Sequence, residues 1–91
     1  MDYELISRQL RELGHPTRLW ITMYLLDHER TFGVELSNML NKTQGEISIH
    51  LRKLRDVGIL ISNRELHYNF FSLNPDAPVS MMVRALKENK K

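Results

Sequence analysis

Thr43-Gln44-Gly45-Glu46 fits the S/T-x-x-E pattern that opens helices. The Thr43 hydroxyl can accept from the Glu46 amide, and the Glu46 carboxylate can reach back to the Thr43 amide. Such a box only starts a helix; the residues after it supply the chemistry. At about 100° per residue, Ile47, Leu51 and Leu54 fall on one apolar face that anchors the helix to a core. Gly45, Ser48, Ile49, Arg52, Lys53 and Asp56 fall on the other, with Gln44 exposed at the N-terminus. Gln and Ser hydrogen-bond base edges in a major groove, and Arg grips guanine or a phosphate. Gly45 leaves room for a close backbone approach. Ile49 suits a thymine methyl, although a single apolar residue at a surface is also ordinary.

Other chemistries find no such constellation. His50 sits at the edge of the buried face, where a packing role fits better than a ligand role. His15, His28 and His67 lie in separate segments, without H-x-x-x-H or H-E-x-x-H spacing. No G-x-S-x-G, P-loop or dinucleotide fingerprint occurs. No catalytic residue, metal site or cofactor is therefore expected. The absence of cysteine excludes disulfides, thiolate metal ligands and thiol redox switches.

The elements that position the polar face are legible from periodicity. Tyr3, Ile6, Leu10 and Leu13 predict a helix over residues 3–13, stopped at Gly14-His15-Pro16 because proline cannot donate to the ladder. A second helix runs to about Asp27. Its residues Leu19, Trp20, Ile21, Met23, Tyr24, Leu25 and Leu26 are apolar nearly all round, which predicts the central buried element. His28 to Thr31 reads as a polar connection, and Gly33 to Leu40 as a third helix. Asn41-Lys42 forms a turn before the helix from Gln44 to about Val57, which Gly58 ends.

Alternation then predicts two strands, Ile59 to Asn63 and about His67 to Leu73, with Arg64-Glu65-Leu66 near the hairpin tip. Arg64, with His67 nearby, can reach a phosphate or a minor groove, while Glu65 beside it blunts the attraction. Phe70 and Phe71 point to opposite faces of their strand. After Asn74-Pro75-Asp76-Ala77-Pro78, a last helix from Val79 to Lys87 carries Val79, Met82, Val83 and Leu86 on one face. Residues Lys87 to Lys91 read as a solvated tail. A tight helix pair followed directly by a hairpin predicts a winged helix-turn-helix: mainly α, about five helices and a two-stranded wing.

With 91 residues the chain has room for one domain, taken as 1–91, and a modest core that a partner subunit can supplement. A net charge of +2 permits nucleic acid without requiring it. No apolar run is long enough for a membrane span, and the first residues lack a signal-peptide layout. A cytoplasmic protein is the expectation.

Two segments are similar to those of the ArsR/SmtB family of bacterial and archaeal repressors. Leu13-Gly14-His15-Pro16-Thr17-Arg18-Leu19 resembles the signature at the start of that family's second helix. Ile47-Ser48-Ile49-His50-Leu51-Arg52-Lys53-Leu54-Arg55-Asp56-Val57-Gly58-Ile59-Leu60 resembles its recognition-helix pattern, V-S-x-H-L-x-x-L-x-x-A-G-L-V. Phe70-Phe71 stand where the family usually has Tyr-Tyr. The resemblance spans about residues 5–73. It implies a homodimer built on the first and last helices and bound to an imperfect inverted repeat. The apolar stripes agree, and they nominate Tyr3, Ile6, Leu10, Val79, Met82, Val83 and Leu86 for the interface, unless they complete the protomer's own core.

The departures bear on control. Where the family's metal sensors carry C-V-C, this chain reads Phe32-Gly33-Val34, and the segment 79–91 holds neither the Asp nor the His of the other common metal site. Derepression by metal is not carried over, and any effector is unknown. The expected function is a sequence-specific regulator of double-stranded DNA, a repressor acting as a homodimer. Its DNA-binding residues are Thr43, Gln44, Gly45, Ser48, Ile49, Arg52, Lys53, Arg64 and His67. The alternative is a winged-helix protein-interaction module without DNA binding, kept alive by Glu46, Asp56, Glu65 and the modest charge. An enzyme has no support.

Overall fold

Residues 1–89 are described in the computed structural model; Lys90 and Lys91 of the expected solvated tail lie outside the described residues. The elements run α1 (Tyr3–Leu13), α2 (Pro16–Tyr24), β1 (Thr31–Phe32), α3 (Gly33–Leu40), α4 (Gln44–Asp56), β2 (Leu60–Glu65), β3 (Tyr68–Leu73) and α5 (Ser80–Glu88). The winged helix-turn-helix expected from the sequence is the fold observed, with one addition. The hairpin β2–β3 gains a third antiparallel strand, in the order β1-β3-β2, through Thr31↔Phe71 and Phe32↔Phe70. Two residues are too few to show an alternation, so β1 reads in sequence as part of a polar connection.

The helix boundaries follow from capping. Asp2 accepts from the Leu5 amide at 3.0 Å and opens α1. His15 is extended, as the following proline demands, and its Nδ1 accepts from the Thr17 amide at 3.1 Å. Pro16 occupies the first helical position, where no donor is needed. The second helix ends at Tyr24, short of the expected Asp27, and it is not buried all round. Thr17, Ile21 and Thr22 point inward, while Leu19 and Trp20 remain exposed. Trp20 stacks on Tyr24 at 5.2 Å, and Tyr24 on His28 at 3.8 Å.

Ile21, Leu36, Ile47, Leu54, Ile59 and Val83 form the fully buried centre. A polar side chain is buried beside them. Gln9, 1% exposed, donates from Nε2 to the Val57 carbonyl at 2.8 Å and accepts at Oε1 from the Val79 amide at 3.4 Å. One amide thereby joins α1 to the end of α4 and the start of α5.

Gly58 has φ 81, the left-handed geometry that favours glycine. Its amide bonds Arg55 O at 2.9 Å and the Ile59 amide bonds Leu54 O at 3.0 Å, a Schellman closure that turns α4 straight into the wing. The hairpin pairs Leu60↔Leu73 through Glu65↔Tyr68, so Arg64 and Glu65 are strand residues and the turn is Leu66-His67. Val79 and Val83 pack into the protomer's own core, which corrects their expected place at a subunit interface. Lys87 is not free in solvent, since its ammonium pairs from α5 with Asp27 in the segment after α2.

Candidate nucleic-acid interface

A tight turn aims α4. Asn41 adopts the left-handed conformation (φ 53, ψ 48) that asparagine tolerates, and the Lys42 amide bonds Ser37 O at 3.2 Å. Thr43 Oγ1 then accepts from the Glu46 amide at 3.1 Å, half of the expected capping box. The returning half is not made. The Glu46 carboxylate lies 3.4 Å from Lys42 Nζ and 4.0 Å from His50 Nε2 instead.

Thr43, Gln44, Gly45, Ser48, Ile49, Arg52 and Lys53 are all exposed, with Ile49 at 48%. Gly45, Ser48, Ile49, Arg52 and Lys53 share one side of α4, away from buried Ile47, Leu51 and Leu54, while Thr43 caps the helix and Gln44 opens its first turn. Among the described residues, no ion pair or side-chain hydrogen bond engages Arg52, Lys53 or Arg64. A Cβ built at Gly45 would meet nothing nearer than Thr43 Oγ1 at 4.0 Å, so the fold does not require glycine there.

His50 seats the helix. It is buried, as a packing role requires, and Arg18 Nη1 lies 3.1 Å from its Nδ1. Arginine cannot accept, so Nδ1 must be the acceptor and the ring neutral with its proton on Nε2. Arg18 is itself held by Glu12, through Nε to the carbonyl at 2.6 Å and through Nη2 to the carboxylate at 3.4 Å. The His15 ring lies 4.5 Å from that of His50, a pairing hidden in the sequence by 34 intervening positions. Burial, then the neighbouring His15 and Arg18, hold the His50 pKa below its ordinary value, while Glu46 opposes the shift.

The wing sorts its charges by strand alternation. Arg64 pairs with Asn69 on the face shared with buried Phe71, whereas Glu65 pairs with Tyr68 on the other face. Arg30 Nη1 donates to Glu65 Oε2 at 2.7 Å and stacks over the Phe70 ring at 3.8 Å. A cleft of about 260 Å³ separates the wing from α4, lined in part by Gln44, Ser48, His67 and Asn69. The start of α4 and the wing therefore open onto one surface. Residues that sequence reasoning missed are supporting ones: Gln9, Arg18 and Arg30. Only Arg18 left a signal, inside the segment Gly14 to Leu19 noted above.

At the β1–α3 junction the Phe32 ring packs edge-on against Phe70 at 5.6 Å and Tyr68 at 5.3 Å. Among the described residues, no group of three or more His, Cys, Asp or Glu could hold a metal ion. No helix of the described residues is long and apolar enough to cross a membrane.

The fold and this surface are those of a winged helix-turn-helix domain. The chain belongs to the bacterial regulatory protein arsR family, whose model matches residues 15–62. It is 32% identical to the arsenic resistance transcriptional regulator ArsR1 of Pseudomonas putida over 72% of this chain and 52% of that protein, so it spans about half of that relative's length. With the biofilm growth-associated repressor of Xylella fastidiosa it shares 31% identity over 89% of this chain and 69% of the relative. HlyU from Vibrio cholerae superposes with a TM-score of 0.83 at 28% identity, covering 94% of both chains. The homodimeric winged helix-turn-helix domain of Mb0332 from Mycobacterium bovis shares the fold, with a TM-score of 0.78 at 18% identity over 97% of this chain and 83% of that one.

Proposed function

We propose that this protein is a sequence-specific transcriptional repressor that binds an inverted-repeat operator as a homodimer. The carrying observation is the outward face of α4, where Gln44, Ser48, Arg52 and Lys53 stand exposed beside Gly45 and Ile49. Gln44 and Ser48 read base edges, Arg52 reads guanine or holds a phosphate, and Ile49 meets a thymine methyl. Thr43 and Lys53 position the helix on the backbone, and Arg64 and His67 bring the wing to the flanking strand. The whole chain acts as one DNA-binding domain. A DNA partner places it in the cytoplasm.

The dimer reading rests on α1 and α5. Tyr3 (76% exposed), Leu10, Met82 and Leu86 (54% exposed) remain uncovered, with Ile6 half-buried among them. Their burial against a second copy would add apolar contact to a small core. The homodimeric neighbour and the repressor relative described above support both parts of the reading.

The test is selection of duplexes from a random pool, followed by footprinting and a salt titration. Two protected half-sites one helical turn apart, or a multiple of it, are expected. Log affinity should fall linearly with log salt, by about 0.9 per phosphate contact, with Arg52→Ala weakening binding. Ile49→Ala should relax the preference at one thymine. Failure to enrich any duplex, or salt-independent binding, would overturn the reading in favour of a protein-interaction module.

A further inference from the structure

Leu66 is the most exposed apolar side chain after Met1, at 89%. It occupies the first position of the two-residue turn that closes the wing, beyond the last strand pair Glu65↔Tyr68. Its φ of 55 places a bulky side chain in the left-handed region, where glycine or asparagine is the ordinary choice. Local folding thus gains nothing from leucine here: the backbone is strained and the side chain covers no part of the core. Among the described residues, nothing within the protomer engages the side chain.

Position says what it meets. From Ser62↔Phe71, the last pair containing a buried aromatic, the ladder runs on through Asn63↔Phe70 and Arg64↔Asn69 to Glu65↔Tyr68. At roughly 3.4 Å per residue these three steps carry the turn about 10 Å outward. The tip leaves from the surface that presents Gln44 and Ser48, across the cleft those residues line with His67. Leu66 is flanked by His67 and, one residue before Glu65, by Arg64, while Glu65 itself is held by Arg30. An apolar group beside a free cation, on an arm of that reach, matches the chemistry of the minor groove: phosphates at the rim and stacked apolar base faces within.

We propose that Leu66 enters the minor groove next to each half-site as an apolar wedge, partly unstacking one base step and kinking the operator. This rests on the DNA-binding reading above. The step it selects is of the pyrimidine–purine type, which unstacks most easily. Leu66 would thereby impose a sequence preference at a position that α4 does not touch.

The experiment uses the full-length protein and a duplex enriched by it from a random pool. Bending is read from gel mobility with the site permuted along a fragment, and unstacking from a fluorescent adenine analogue placed at the flanking step. The wild-type protein should bend the fragment and brighten the analogue. Leu66→Asn, which suits the left-handed backbone, should lose both signals and bind several-fold more weakly while melting no lower. Leu66→Met, still apolar, should retain both.

A straight wild-type complex, or a Leu66→Asn complex bent as much as wild type, overturns the wedge and leaves the DNA-binding reading standing. If the pool yields no duplex at all, that reading falls and the wedge with it. If Leu66→Asn instead reduces the protein's mass in solution without changing the bend, the tip is a contact between copies, and the proposal is overturned.

Discussion

Arg30 Nη1 and Glu65 Oε2 meet at 2.7 Å on the face of the wing away from Arg64. In sequence, Glu65 reads as blunting the attraction of its neighbour. In the fold, alternation sends the two to opposite faces, and an arginine from the segment before β1 neutralises the acid. The free charge left at the wing is positive.

Arg30→Ala should therefore weaken DNA binding about two- to fivefold at low salt without touching a base, in line with the modest worth of an exposed ion pair. Adding Glu65→Gln should restore most of the loss, and raising the salt should shrink it. Titrations of the single and double variants at two salt concentrations test this; an unrescued double variant would mean that Arg30 contacts DNA itself.

Gly45 separates the needs of folding from those of binding. The space around it is open, so Gly45→Ala should raise stability by up to about 1 kcal/mol through helix propensity. The added methyl should still reduce operator affinity at least tenfold, because it occupies the gap through which the DNA backbone approaches. Urea denaturation and gel shift on the same sample decide; unchanged affinity would remove Gly45 from the interface.

His50 makes stability pH-dependent in a defined direction. Its folded pKa is lowered, so the unfolded chain takes up a proton first as pH falls. Its contribution is complete above the ordinary histidine value of about 6.5 and is lost as pH drops through the lower folded value. Protonation at Nδ1 would also oppose the donor from Arg18. Thermal melts between about pH 7.5 and 5 should show Tm falling on the acid side, with a shallower fall in His50→Gln. Equal slopes in the two proteins would assign the effect to other groups.

Gln9→Leu preserves volume but leaves the Val57 carbonyl and the Val79 amide without their partner. Each unpaired buried group costs about 1–3 kcal/mol, so a loss of roughly 2 kcal/mol or more is expected in chemical denaturation. A leucine variant as stable as wild type would mean that water or a backbone shift replaces both bonds.

What was legible in the sequence was set by range. Helices α1 and α3 are legible by their period, and α4 by its period and its cap, since those signals lie within a few residues. So is the glycine that ends α4. The outward face of α4 followed from the same geometry, because an inward stripe dictates what points away. Contacts between distant segments were not legible. His15 and His50 look unrelated until α2 crosses α4, and Gln9 looks like a surface residue until α1 is docked. The stripe of α5 was read correctly as apolar, but sequence alone could not divide it between the core, which took Val79 and Val83, and the exposed side, which kept Met82 and Leu86.

Gln9 has a mechanical meaning as well as an energetic one. It grips the last turn of the reading helix with one end of its amide and the root of α5 with the other, from a helix whose outer side carries Tyr3 and Leu10. A load applied to α1 or α5 would reach the end of α4 through this one planar amide. A sliding of α1 against α5 would therefore have to break this clasp at one end or carry the end of α4 with it.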